Sequence, residues 1–233
     1  MNDPQARQKR TAAEAAVALV TDGMAVGLGT GSTAWFAIEA LAARVRGGLT
    51  IEAIATSERS AEQARAGGIK VVTFAERRRL DVTIDGADEI ARDSLALIKG
   101  HGGALLREKI VATASDRLVI VADERKWVDR LGETSAIPVE VVPFGWETTA
   151  VRIERLGGEP QLRLGADGAP YCTDGGNMIL DCGFGAISDP VKLDRALSMV
   201  TGVIETGLFI GMASIVFVAG DSGVRRFDAA PTC

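Results

Sequence analysis

A chain of 233 residues, 47% hydrophobic and 24% charged, has the makeup of an ordinary globular protein, with length for one large core or a main domain and a smaller satellite. Its 26 basic and 31 acidic residues leave a net charge of −5, which argues against a general nucleic-acid role, because gripping a phosphate backbone needs a concentrated positive surface. No stretch is apolar for long enough to span a bilayer, and Met1-Asn2-Asp3-Pro4 opens no apolar run with a processing site.

The pattern predicts an alanine-rich helix over residues 5–20, then a short apolar strand over 24–28 that ends in a glycine-rich turn. Ser32 or Thr33 is placed to cap the next helix, which runs to about Val45. Strands follow at 49–55, 69–73, 81–85, 95–98 and 117–122, with helices at 58–66 and 104–114 between them. Short apolar strands alternating with helices favour a parallel sheet covered on both faces, with ligands gathering beyond the carboxyl ends of the strands. The polar or glycine-rich segments 29–33, Thr56-Ser57, 85–88 and 99–103 each follow a strand, and at one sheet edge they would form one pocket. Beyond about Leu131 the pattern changes to a small antiparallel α+β block, with strands at 139–142 and 161–164, a helix at 146–156 and another opening at Pro190. The division expected is therefore residues 1–131 plus 204–233 for the main domain and 132–203 for the small one, with strand 214–219 and a hairpin at 221–223 rejoining the main domain.

Gly27-Leu28-Gly29-Thr30-Gly31-Ser32-Thr33 joins a strand to a helix. A helix N-terminus offers unpaired N–H groups and a partial positive charge, and hydroxyls add donors, so phosphate fits there. The triphosphate loop motif fails because no Lys-Ser or Lys-Thr follows, and the dinucleotide fingerprint fails because Ser32 occupies its last glycine position. An anion cradle remains, beside the plainer reading of a tight turn with an N-cap.

Asp85-Gly86-Ala87-Asp88-Glu89 begins where a hydrophobic strand ends. Asp85 and Asp88 suit sugar hydroxyls, Glu89 suits a turn or cap, and magnesium is the rival reading for the group. On its helix Glu108 has Ala104 and Ala112 at four residues and Leu105 and Val111 at three, so it falls within an apolar stripe. Burial there would raise its pKa and suit it to taking and returning a proton near neutrality. Lys99, followed by Gly100-His101-Gly102-Gly103, would stabilise a developing oxyanion, with Lys126 a weaker candidate for the same pocket. His101 is the only imidazole, and a neutral loop role suits it as well as catalysis does. Cys172, Cys182 and Cys233 lack zinc-ligand spacing and read as reduced thiols of a cytosolic protein, the first two packing residues.

Taken together these segments resemble the A-type ribose-5-phosphate isomerase family. The resemblance rests on Gly29-Thr30-Gly31-Ser32-Thr33, Asp85-Gly86-Ala87-Asp88-Glu89, Lys99-Gly100 and Arg107-Glu108-Lys109-Ile110. Pro138-Val139-Glu140-Val141, Thr173-Asp174, Gly176-Asn177, Gly202-Val203 and Gly207-Leu208-Phe209 continue it in family order. It implies a Rossmann-like three-layer main domain, a smaller ferredoxin-like domain and a homodimer or homotetramer. It further implies metal- and cofactor-free interconversion of D-ribose 5-phosphate and D-ribulose 5-phosphate in the non-oxidative pentose phosphate pathway, with no nucleic-acid or membrane partner. Carried over by position, Glu108 is the proton acceptor, and Asp85, Asp88 and Lys99 join it in catalysis. Thr30, Gly31, Ser32, Thr33, Asp85, Gly86, Ala87, Asp88, Lys99, Gly100, His101, Gly102 and Lys126 are then substrate-binding residues. The chain departs from the family at His101, usually glycine, at Gly175, commonly asparagine, and at Ser135-Ala136-Ile137 before Pro138. Competing readings are a sugar-phosphate sensor domain, which needs no Glu108, and a coenzyme A transferase or sugar-phosphate deaminase on a related fold.

Overall fold

The computed structural model describes residues 3–230, so Met1, Asn2 and Cys233 lie outside the described residues. Helix α1 (Pro4–Val17) starts where the Asp3 carboxylate accepts from Gln5 N and Pro4 fills a position that needs no N–H. After it come β1 (Ala25–Leu28), α2 (Ser32–Arg46), β2 (Glu52–Ala55), α3 (Glu58–Ala66), β3 (Lys70–Val71) and β4 (Val82–Asp85). Next are β5 (Glu89–Ala91), β6 (Leu97–Ile98), α4 (Leu105–Thr113), β7 (Leu118–Asp123), a 3-10 turn at Glu124–Lys126 and β8 (Trp127–Val128). The chain continues through β9 (Ile137–Val141), α5 (Trp146–Glu154), β10 (Glu159–Leu162), β11 (Met178–Gly183) and α6 (Pro190–Ser198), which Asp189 caps. It ends with β12 (Val203–Thr206), β13 (Leu208–Phe209), β14 (Ala213–Gly220) and β15 (Gly223–Asp228).

Two compact units result. The first takes the chain up to Ala87, Arg107–Trp127 and the chain from Met212; the second takes Asp88–Leu106 and Val128–Gly211. The second unit thus contains the stretch 132–203 set apart by sequence and adds 88–106, 128–131 and 204–211 to it.

A seven-stranded sheet, ordered β15-β14-β7-β4-β1-β2-β3, forms the first unit, with every pairing parallel except the β14–β15 hairpin. Alternate strand residues face opposite sides. Val26, Leu28, Ala53, Val82 and Ile84 pack with Ala12, Ala16, Ile38 and Leu41 of α1 and α2. Ala25 and Ile54 pack with Val111 of α4. Helices therefore cover both faces, the three-layer Rossmann-like arrangement.

In the second unit β9-α5-β10-β11-α6-β12 is a β-α-β-β-α-β run whose strands lie in the order β10-β11-β9-β12, all antiparallel, the ferredoxin-like topology. Its core gathers Ile137, Val139, Val141, Ile153, Leu180 and Leu197. The expectation for 95–98 needs correction. Strand β6 does not enter the parallel sheet; it pairs antiparallel with β5 and β13, since Glu89–Ala91 turns back on it after a short connection. Among the described residues no helix is long and apolar enough to cross a membrane.

Candidate functional site

The turn after β1 is shaped by close backbone approach. A Cβ on Gly29 would lie 2.0 Å from Asp85 Oδ1 and 2.6 Å from Asp85 Cα, so only glycine lets the turn lie against the end of β4. Gly31, with φ of 109°, is itself the N-cap of α2. This corrects the expectation that Ser32 or Thr33 caps the helix: Ser32 is its first residue, and the left-handed backbone that sets the cap geometry is open only to glycine. Both hydroxyls are thereby released from capping.

Asp85 is buried, and its Oδ1 accepts from Thr30 N (3.1 Å) and Gly86 N (2.7 Å). The Thr30 hydroxyl joins Thr56 Oγ1 (2.7 Å) and donates to Ser57 Oγ (2.8 Å). Ser57 donates to Ser60 Oγ (3.0 Å), and Ser60 donates to the Gly29 carbonyl (2.8 Å). One chain of hydroxyls thus ties the ends of β1 and β2 to the start of α3. Thr33 is buried, its Cβ 3.8 Å from where a Cβ on Gly86 would stand. A cavity of about 340 Å³ opens off the turn, with Thr30, Ser32, Trp35, Arg59 and Gln63 on its wall.

Two cations belong to this end of the sheet. Lys9 of α1 donates to Ser32 Oγ at 2.8 Å. Burial holds its pKa below lysine's ordinary value; Asp123 opposes that shift, and the charges of Arg125 and Lys126 add to it. The buried Asp123 carboxylate, at the end of β7, accepts from Arg125 N (3.2 Å) and Arg125 Nε (2.9 Å), fixing the 3-10 turn that carries Lys126. Sequence reasoning missed Lys9, which looks like one more basic residue on a solvated helix; no local signal marks it.

Glu108 is 2% exposed, and Ala104, just before α4, and Leu105, Val111 and Ala112 within it are all buried, as the apolar stripe predicted. The helix direction follows from its contacts. Its C-terminal end meets the start of β4, where Leu80 N donates to Ala114 O at 2.9 Å. Val111 stands over β1, within 2.7 Å of where a Cβ on Gly27 would be. Glu108 lies one turn nearer the helix N-terminus, hence toward the carboxyl ends of β1 and β4 and on the sheet face that Thr83 and Asp85 share.

Asp88, Lys99, Gly100, His101 and Gly102 belong to the second unit. Lys99 is buried with its Nζ 5.4 Å from the Phe209 ring centroid, and its backbone N donates to Gly207 O at 2.9 Å. His101 N donates to Asp88 Oδ2 at 3.0 Å; the ring places Nδ1 3.7 Å from Asp88 Oδ1 and Nε2 3.3 Å from Ala136 O. Glu89 is neither turn former nor cap. It sits fully buried in β5 and accepts from Gly132 N, Thr134 N and Thr134 Oγ1, each at 2.6 Å, because a buried carboxylate must be saturated with donors. The structure therefore gathers Thr30, Gly31, Ser32, Thr33, Asp85, Gly86, Glu108 and Lys126 on one unit, and Asp88 with 99–102 on the other; Ala87 is the last residue of the first before the chain crosses. Among the described residues no group of three His, Cys, Asp or Glu side chains could hold a metal ion.

Comparison with known proteins bears on the whole chain. Residues 52–223 match the family model of ribose 5-phosphate isomerase A (phosphoriboisomerase A). A ribose-5-phosphate isomerase A of Gloeobacter violaceus is 58% identical over 217 residues, covering 93% of this chain and 94% of that one. The solved ribose 5-phosphate isomerase A of Methanocaldococcus jannaschii superposes with a TM-score of 0.91 at 40% identity, covering 95% of this chain and 98% of that one. A solved D-ribose-5-phosphate isomerase in complex with phospho-erythronic acid gives 0.93 at 35% identity, covering 98% and 100%.

Proposed function

Because the chain belongs to the ribose 5-phosphate isomerase A family, we propose that it interconverts D-ribose 5-phosphate and D-ribulose 5-phosphate, with Glu108 moving the proton. One observation carries the assignment to this site. A carboxylate 2% exposed lies toward the same sheet edge as a glycine turn whose Ser32 hydroxyl is met by the Lys9 ammonium at 2.8 Å. Phosphate fits the turn, where N–H groups of a helix start, hydroxyls and the Lys9 ammonium supply donors and positive charge. The phospho-erythronic acid held by a solved relative carries both a phosphate and a carboxylate, as an enediolate phosphate carries a phosphate and a second anionic group.

In the reaction we propose, Asp85 or Asp88 assists ring opening at the sugar oxygens. Glu108 then takes the proton from C2 of the open aldose, and the electrons of that C–H bond move through the forming C1–C2 double bond onto O1. The cis-enediolate is held by the Lys99 ammonium and backbone donors of loop 99–102, which oppose charge that appears only as the transition state is reached. The same carboxyl returns the proton at C1, and the O2 proton passes to O1, so atoms and charge balance. One carboxyl can serve both carbons because they are adjacent, and the bound phosphate supplies orientation. The reading needs no metal, and it carries the expectation of a homodimer or homotetramer.

The test is purified protein with ribose 5-phosphate and a chelator, with ketose formation followed directly. Ketose is expected to form despite the chelator. Glu108→Gln is expected to reduce turnover by about 10²–10⁴-fold with affinity for a sugar-phosphate acid within about threefold. No ketose from the wild-type protein, or near-normal turnover in the variant, would overturn the assignment.

A further inference from the structure

We propose that Arg163, outside the reacting groups named above, is a positioning residue for loop 99–103, setting which way its peptide groups face. This rests on the reading that Lys99 and the following backbone meet the substrate. The loop has three glycines among its five residues and left-handed backbone at Gly100 (φ 110°) and Gly103 (φ 79°). Such a segment has little stiffness of its own, so its shape must come from neighbours.

Arg163, just past β10, supplies that shape. Its Nη1 donates to Gly100 O at 2.9 Å and to His101 O at 3.2 Å. The guanidinium is itself locked. Nε donates to Asp181 Oδ2 at 2.9 Å, Nη2 donates to Asp181 Oδ1, and the side chain is 13% exposed. The Arg163 backbone is tied at both sides, N to Ile179 O and O to Tyr171 N, each at 2.9 Å. Tyr171 adds a wall: its ring centroid lies 5.9 Å from the guanidinium carbon, and its hydroxyl lies 2.1 Å from where a Cβ on Gly103 would stand. A planar fork fits one carboxylate and two carbonyls at once; an ammonium does not.

The consequence is directional. In a trans peptide the C=O and the following N–H point opposite ways. Turning Gly100 O toward Arg163 sends His101 N–H the other way, where it donates to Asp88 Oδ2 at 3.0 Å. Turning His101 O toward Arg163 likewise sends Gly102 N–H away from the guanidinium. Arg163 thereby holds a backbone donor beside Lys99 for the negative oxygen and holds Asp88 against the loop through His101 N, without touching the sugar.

The experiment measures kcat and KM for ribose 5-phosphate isomerisation in R163A, R163K, K99M and a control on the exposed strand β15, R226Q, with and without millimolar guanidinium, and a melting curve for each. R163A is expected to lose about a hundredfold in kcat/KM, mostly in kcat, and R163K about tenfold. Guanidinium is expected to restore tenfold or more to R163A and nothing to K99M, a response that a loss of folded protein would not give. If R163A fails to fold, R163K decides: wild-type kcat and KM in it refute the proposal. Unchanged turnover in R163A, or a loss equal to the unfolded fraction with no guanidinium response, also refutes it. With K99M inactive in those cases, the reading of the loop survives. Full activity in K99M would sink that reading and the positioning role together.

Discussion

Replacing Gly29 by alanine tests how tightly the glycine turn and Asp85 depend on each other. The new Cβ would lie 2.0 Å from Asp85 Oδ1 and 2.2 Å from its Cγ, with the Asp85 Cα at 2.6 Å, so rotation of the side chain alone does not clear it. Restoring an ordinary contact of about 3.5 Å requires the carboxylate to move by more than about 1 Å. That displacement breaks the bonds Oδ1 accepts from Thr30 N (3.1 Å) and Gly86 N (2.7 Å). Two hydrogen bonds to a buried carboxylate contribute about 1.5–3 kcal/mol each, less what relaxation recovers, and the overpacking adds about 1–3 kcal/mol. A net destabilisation of about 3 kcal/mol is expected, which in a protein of this size lowers Tm by about 6–12 °C. Turnover of ribose 5-phosphate should fall by about 10²-fold, because Thr30 N and Asp85 move together. Gly168→Ala is the control: its φ of 79° strains alanine, but nothing lies within 4 Å of the added Cβ, so it should cost about 1 kcal/mol and leave turnover unchanged. Scanning calorimetry and direct ketose detection read both effects. A Gly29→Ala protein melting within 2 °C of the parent and turning over normally would refute the link.

Lys9→Gln should raise KM by about tenfold with kcat within about threefold, because it removes one charged donor from the turn. Since burial holds Lys9 below the ordinary 10.5, its charge is lost earlier than a free lysine's as pH climbs. KM should therefore begin to rise below pH 10.5, and Lys9→Arg should flatten that rise; an unchanged alkaline limb in the arginine variant would count against the contact. Burial, with the Asp181 charge, pushes the Cys182 thiol up to about 12, whereas an unfolded cysteine titrates near about 8.5. The stability this contributes is complete below about pH 8.5 and declines as pH rises toward 12, where the folded thiol finally ionises. The packing expected for Cys172 is not found, since it is exposed while Cys182 is buried; in the native protein at about pH 8, mass mapping after alkylation should find Cys172 labelled and Cys182 spared, and equal labelling would contradict the burial.

Several residues of the proposed site could be read along the chain because each answers to a local rule. Glu108 stood out from helical spacing alone, since an acid in an apolar stripe needs no tertiary information to be noticed. The glycine turn declared itself by lying between a strand and a helix. What escaped were residues whose role depends on distant partners. Lys9 is placed by the packing of α1, and Ser60 enters the hydroxyl chain only because α3 starts beside β1. Arg163 and Asp181 lie more than sixty residues beyond the loop they steady. Glu89 misled because an acid after a strand normally turns the chain, and its burial is decided by Gly132 and Thr134, over forty residues later.

Periodicity and residue type by themselves determined the alternating β/α order, the buried face of α4 and the glycine turn between β1 and α2, because each is a property of a window no longer than one element. Only the folded chain decided that β6 leaves the parallel sheet, that Gly31 rather than a hydroxyl residue opens α2, and which cation reaches Ser32. Those outcomes depend on contacts between segments far apart in sequence, where burial and hydrogen-bond saturation outweigh local preference.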